Sequence, residues 1–372
     1  MKHNAENERI KRKYFTFLEH AKRQNVASVD AVAKAISRFE QYTKYKSFKA
    51  FHFEQAIGFK KSLTNQKSVT TGKSLSKATL NSTLRHLKAF FQWLSQQTGY
   101  ISKLTYTDME YFNLSEKDTR IASAKRTKPV ATVKQIVHVL ESMPYQTDIE
   151  KRDRALIAFT LLTGARDSAI ASMSLKHVDI INNQVIQDAR DVKTKFSKTF
   201  TSNFFPVDEQ GYVRNIVVEW VEYLKNKLLF GNDDPVFPQT EVKQNKHKRF
   251  IAHGLQKQHW SSANPIRTIF KKAFKDAGLE YFNPHSFRNT LVQLGQRVCA
   301  SPEEMKAWSQ SLGHDSVMTT FTSYGEVSPE REKKVFENLA SVKSNVPNVF
   351  DIEDLATKLA VKITDVQKTL ID

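Results

Sequence analysis

The stretch DIINNQVIQDARDVKTKFSKTFTSNFFPV, residues 179–207, is where the helical periodicity of the chain gives way. Around DIINNQVIQDARDV (179–192) and TFTSNFFPV (199–207) apolar and polar residues alternate, the two-residue period of half-buried strands. The connection VKTKFSKTF (192–200) makes them a hairpin, with Lys193, Lys195 and Lys198 crowded near its turn. Lysines at such turns are commonly surface charge that blunts an edge. Everything else with a clear period repeats at 3.6 residues. The fold class expected is therefore mainly α, with a small antiparallel β-sheet in the C-terminal domain.

Upstream, the first 115 residues read as helices separated by polar turns. In SVDAVAKAISRFEQYTKY (28–45), Ser28 is a candidate N-cap and Val32, Ile36 and Phe39 share one face. In SKATLNSTLRHLKAFFQWLSQQTG (76–99), Leu80, Leu84, Leu87, Phe91 and Leu94 form an apolar stripe and Gly99 stands where a C′ glycine belongs. Arg85 and Lys88 lie off that stripe, toward solvent or a phosphate. Residues 116–131 turn polar, basic and finally Pro-containing, as a linker does. The units expected are a helical domain at 1–115, the basic linker 116–131 and a mixed domain at 132–345.

Within the mixed domain, helices are expected near 132–142 and in KRDRALIAFTLLTG (151–164), NIVVEWVEYLKNKLL (215–229), NPIRTIFKKAFKDAG (264–278) and SFRNTLVQLGQRV (286–298). In SPEEMKAWSQSLGH (301–314), Ser301 as N-cap, Pro302, Glu304 and Gly313 frame a further helix. Residues 346–372 carry one more amphipathic pattern after a polar stretch, as a helix that docks on a neighbouring protomer would.

Lys+Arg 57 against Asp+Glu 39 gives a formal charge of +18 over 372 residues, which points to a polyanionic partner. No apolar run approaches the ~20 residues that span a bilayer, so nucleic acid is favoured over membrane. One cysteine, Cys299, excludes an intramolecular disulfide framework and Cys-rich zinc sites, fits a reducing cytoplasm, and reads as a core filler.

Four separated pieces have the chemistry to hold a phosphate. Arg166 follows the helix-ending Gly164 in LLTGARDS; the hairpin offers its lysines; His285 and Arg288 lie one turn apart at a helix N-terminus in NPHSFRNT; His314 follows Gly313 in SLGHDS. Arginines neutralise phosphate oxygens, histidines move protons near neutral pH, and a lysine can protonate a leaving alkoxide. The nucleophile left over is Tyr324, in the small-residue run TSYGEVS, whose neighbours are too polar to bury a ring. Its phenol is weak at neutral pH, and flanking cations activate it for attack on phosphorus.

Arg166 in TGAR, the hairpin lysine, HSFR, LGH and Tyr324 resemble, in order and spacing, the Arg, Lys, His-x-x-Arg, His and Tyr set of the tyrosine recombinase (phage integrase, Xer-like) family. The resemblance covers about 160 residues of the C-terminal half. It implies a two-domain C-shaped clamp on DNA, the N-terminal half being a SAM-like core-DNA-binding domain. It implies a 3′-phosphotyrosyl intermediate at Tyr324 with no cofactor, neither metal nor ATP. Arg166 and Arg288 would clamp the phosphate, His285 and His314 would hold it and assist proton transfer, and Lys195, preferred over Lys198 and Lys193, would be the general acid. Double-stranded DNA with inverted-repeat core sites, a homotetramer or a heterotetramer with a paralogue, and a cytoplasmic, nucleoid-associated location follow from the same resemblance. The family's acidic residue three positions after the first arginine is here Ala169, with Asp167 nearby but on another face, and residues 1–25 are shorter than an arm-binding domain is expected to be. A type IB topoisomerase and a catalytically silent DNA-binding protein of the same fold are the alternatives.

Overall fold

The computed structural model describes residues 3–67, 72–124, 129–244, 246, 248–323 and 332–338; Tyr324 and the expected C-terminal helix at 346–372 lie outside them. The chain divides into two compact units, Met1–Arg126 and Thr127–Asp372.

The first unit is helical: α1 (Ala5–Thr16), α2 (Val26–Tyr42), α3 (Phe53–Asn65), α4 (Lys77–Leu94) and α5 (Glu116–Ser123). Its core is aromatic. Phe39 meets Phe51, Phe59, Phe91 and Phe112 edge-on, and Phe51 stacks on Phe91 at 4.1 Å between centroids. Edge-to-face and offset pairs of this kind add to the area they bury. The stripe from Leu80 to Leu94 is fully buried, as its spacing predicts. Two helix ends differ from expectation. Asn25, not Ser28, caps α2: its side chain accepts the Ser28 N–H at 2.9 Å, so the helix starts three residues earlier on an equally good capping residue. Likewise α4 ends at Leu94, because Gln96 and Gln97 donate to carbonyls three residues back and tighten the turn; Gly99, at φ 83°, belongs to the following loop. Residues 116–123, expected as linker, form α5, with Ser115 as cap, Glu116 and Asp118 at its positive end and Asp118 paired with Lys77 at 2.9 Å. Lys88 is paired with Glu110 at 2.7 Å rather than left for a phosphate.

The second unit begins with α6 (Val133–Ser142) and α7 (Asp148–Thr163). From Ala155 to Thr163 every residue of α7 is buried, so this helix is the axis of the core. There follow the short α8 (Asp167–Ile170), then β1 (Val178–Asp179), β2 (Gln184–Gln187) and β3 (Phe200–Asn203), an antiparallel sheet in the order β1-β2-β3. Val185 pairs with Ser202 and Gln187 with Phe200, the alternation foreseen in 179–207. After α9 (Tyr212–Asn226), which packs on α7, comes a second antiparallel pair, β4 (Gln239–Gln244) and β5 (Phe250–Gln256), that the sequence did not announce. The buried Arg152 of α7 anchors its base, donating to the Pro238 carbonyl and to Thr240, both at 2.9 Å. The remaining helices are α10 (Asn264–Asp276), α11 (Ser286–Val298), α12 (Pro302–Ser311) and α13 (Val317–Ser323). Ser301 and Glu304 form the capping box expected of α12, and Gly313, at φ 68°, follows its end. Cys299 caps α11 and packs, partly buried, against the core. No helix among the described residues is long and apolar enough to cross a membrane.

Candidate active site

The end of α7 sets the first arginine. Gly164 has φ 61°, and a Cβ there would come within 2.7 Å of Leu312 and 2.9 Å of Leu291, so only glycine fits both the turn and the packing. The chain then reverses into α8 with Arg166 at its N-cap position. The Phe205 N–H donates to the Leu162 carbonyl at 2.8 Å, which ties the end of β3 to the same turn.

His285 is the N-cap residue of α11, following Pro284, and Asn283 accepts the Ser286 N–H at 3.1 Å. One turn on, Arg288 is only 2% exposed. Its Nη1 donates to the Gly164 carbonyl at 2.6 Å, and its Nη2 to the Leu312 carbonyl at 2.5 Å and to His314 Nε2 at 2.9 Å. A guanidinium is donor only, so Nε2 accepts and His314 is the neutral Nδ1–H tautomer. That hydrogen faces Thr320 Oγ1 at 2.7 Å, and Thr320 donates onward to Ser309 at 2.8 Å. Burial first, then the charges of Arg288, Arg166 and Lys198, push the His314 pKa down to about 3. The same causes, burial and then Arg288 and Arg166, lower that of His285. Both shifts favour the neutral imidazole, and the His314 Nε2 lone pair is already taken by Arg288.

The lysines separate. Residues 188–199 connect β2 to β3 through a tight turn at Lys195–Ser197, where Phe196 and Ser197 take φ of 59° and 50°. The sheet is fixed against α12, since Ser202 donates to the Ser311 carbonyl at 2.7 Å. Lys198 is paired with Asp315 at 2.8 Å, which lowers the Asp315 pKa. The Lys193 backbone is pinned, its N–H donating to Ser172 at 2.8 Å.

A cavity of about 570 Å³ is lined by Arg166, Asp167, Lys195, Arg267, Asn283, Pro284, His285, His314 and Thr319. Of the residues expected from the sequence, Arg166, Lys195, His285 and His314 meet there. Arg288 lies directly behind His314, and Lys193 and Lys198 are not in the lining. Tyr324 is outside the described residues, following α13, which supplies Thr319. Tyr281, the neighbouring phenol, is not in the lining, and burial raises its pKa. Two members were not foreseen in their role. Asp167 faces the cavity and accepts from Arg267, whose Nε and Nη2 both lie 2.8 Å from Asp167 Oδ2. No signal near Arg267 marks it among the basic residues of α10.

Residues 129–331 match the phage integrase family. The chain belongs to the phage integrase family. Among curated relatives of this integrase, the tyrosine recombinase XerC of Lactobacillus delbrueckii subsp. bulgaricus is 22% identical over 252 residues, 66% of this chain and 71% of that protein. Among solved structures, lambda integrase (residues 75–356), a dimer bound to a COC′ core site, matches with TM-score 0.56 and 11% identity, covering 86% of this chain and 95% of that one. The XerH site-specific recombinase, bound to a palindromic difH substrate, matches with TM-score 0.54 and 19% identity, over 87% and 82%. At these identities the likeness is one of fold, mostly helical with small antiparallel sheets. The integrase is a tyrosine-type site-specific DNA recombinase.

Proposed function

We propose that this recombinase cuts DNA by attack of the Tyr324 hydroxyl on the scissile phosphorus. The phenolic proton passes to a neutral imidazole, for which His285 is the residue at hand. The P–O5′ bond breaks as Lys195 gives its proton to the departing O5′. A 3′-phosphotyrosyl link and a free 5′-hydroxyl result, and the 5′-hydroxyl of a partner strand later attacks the link and releases the phenol. Bond energy is conserved throughout, so the exchange runs without ATP or a metal. Arg166 neutralises the phosphate oxygens from the cavity wall, and Arg288 adds its charge from just beneath while holding His314 in one tautomer. Lys195 is preferred over Lys198 because Lys198 is tied to Asp315. The protein works on inverted-repeat core sites in the cytoplasm of its host, on the nucleoid, as a tetramer of identical chains or with a paralogue. The segment 346–372 is expected to dock on the neighbouring protomer, and the N-terminal unit and the catalytic unit at 132–345 each contact the DNA.

The observation that carries this reading is the convergence of Arg166, Lys195, His285 and His314, distant in sequence, on one cationic cavity. The test is a nicked duplex that carries the sequences flanking the gene, designed so that the cleaved fragment diffuses away and traps the covalent link. The parent forms a protein–DNA adduct. Tyr324→Phe, which keeps the ring, binds the same duplex as tightly and forms none. Adduct at parental levels from that variant rejects Tyr324 as the nucleophile and turns attention to Tyr281.

A further inference from the structure

The cavity contains two arginine heads, and the second is not the one the motif supplies. Arg166 lines it; Arg288, beneath, directs both Nη atoms to the Gly164 and Leu312 carbonyls and to His314. The other head in the lining is Arg267, on α10, about half exposed and therefore not part of the core. Two features show that its position is built. Its Nε and Nη2 fork onto a single oxygen, Asp167 Oδ2, while Asp167 Oδ1 accepts the Ser168 N–H at 2.9 Å. The carboxylate is thereby fixed to the start of α8, one residue from Arg166, and the guanidinium is fixed to the carboxylate. A surface arginine ordinarily loses rotamer entropy on being ordered for little return. Here the ordering holds the side chain in the wall of the cavity that Arg166 also lines and so brings a second positive charge to it, which a purely structural pair has no need to do.

We infer that Arg267 contacts a phosphate of the DNA backbone in this cavity, next to the one held by Arg166, with Asp167 as the residue that positions it. The Nε–Nη2 edge is taken by Asp167, leaving Nη1 as the group that reaches the phosphate. Asp167 thus does work in this chain from one position after Arg166, where Ala169 offers no carboxylate. The inference rests on the recombinase reading for the occupant of the cavity, and the experiment separates the two.

Equilibrium binding of the full chain to the flanking-sequence duplex is measured over a range of salt, for the parent, Arg267→Ala and Arg267→Lys. One phosphate contact accounts for about 0.9 of the log–log salt slope. Arg267→Ala is expected to flatten the slope by about that amount, and Arg267→Lys, which keeps the charge, to restore most of it, with the thermal midpoint unmoved because the side chain is outside the core. An unchanged slope in Arg267→Ala overturns the inference, as does an equal loss in Arg267→Lys accompanied by a fallen midpoint, which marks a structural role. Trapping of the Tyr324 adduct is scored separately. A flattened slope with no adduct from the parent would sustain the phosphate contact and reject the recombination chemistry.

Discussion

Replacing Arg288 with methionine should destabilise the catalytic unit before any chemistry is considered. Methionine keeps much of the side-chain length and volume, so little cavity is opened; what disappears is the set of donors. The Gly164 and Leu312 carbonyls lose their guanidinium partner, at 2.6 and 2.5 Å, and His314 Nε2 loses its own at 2.9 Å. A buried acceptor left unsatisfied costs about 1–3 kcal/mol, so the two carbonyls cost about 2–6 kcal/mol together. Loss of the buried positive charge, and with it the field that depresses His314 and His285, offsets part of this, and the lower half of the range is expected. For a domain of this size about 2–4 °C accompanies each kcal/mol, so a loss of about 2–4 kcal/mol puts the fall in midpoint at roughly 4–16 °C. Trp308 of α12, whose indole N–H donates to the Leu291 carbonyl of α11 at 3.0 Å, reports on unfolding through its fluorescence, and Trp93 reports on the other unit. A second-unit transition within about 2 °C of the parent's would show that water replaces the guanidinium without loss and that Arg288 is not structural.

Lys195→Ala is expected to slow trapping of the adduct by roughly 10²–10⁴-fold on an ordinary duplex and to recover on one whose bridging 5′-oxygen is sulfur, since a thiol of pKa about 8.5 leaves without a donated proton. Lys198→Ala should change neither rate much; recovery by sulfur in that variant instead would move the general acid to Lys198. The His314 pKa is depressed in the fold, so below the unfolded value of about 6.5 the unfolded chain binds a proton that the native one refuses. Stability is therefore whole above about pH 6.5 and falls as pH drops toward about 3, with His285 contributing in the same direction. Denaturant titrations of the parent and of His314→Gln between pH 7 and 5 should give the variant the shallower pH dependence; equal slopes would mean that His314 is not held neutral.

What could be read from the sequence was what is encoded locally. The α4 stripe, the α12 capping box and the glycine turn at 164 each lie within a few consecutive residues, and so does the alternation that pairs Val185 with Ser202. The β4–β5 pair escaped because most of its residues are exposed, so QTEVKQ and FIAHGLQ show no apolar alternation. The start of α2 was misplaced because two good caps, Asn25 and Ser28, stand three residues apart, and only the observed hydrogen bond decides between them. Spacing singled out Arg166, His285 and His314, which line the cavity, and Arg288, which is bonded to His314. The pairing of Lys198 depends on Asp315, more than a hundred residues away, and that of Arg267 on Asp167, a hundred residues away, so neither could be read locally.

The same hydrogen bonds serve the fold and the site. Arg288 joins the end of α7, through the Gly164 carbonyl, to the end of α12, through the Leu312 carbonyl, and the bond to His314 sets the tautomer that faces the cavity. Under the proposed mechanism a change at Arg288 therefore alters folding and phosphate chemistry together, and neither can be read from its activity alone. The exposed heads, Lys195 and Arg267, hang from the fold without supporting it, so under the roles proposed for them their removal reports on chemistry and on DNA contact separately. Buried positions define the geometry of this site, and its reaction is to be dissected at the residues that the core does not need.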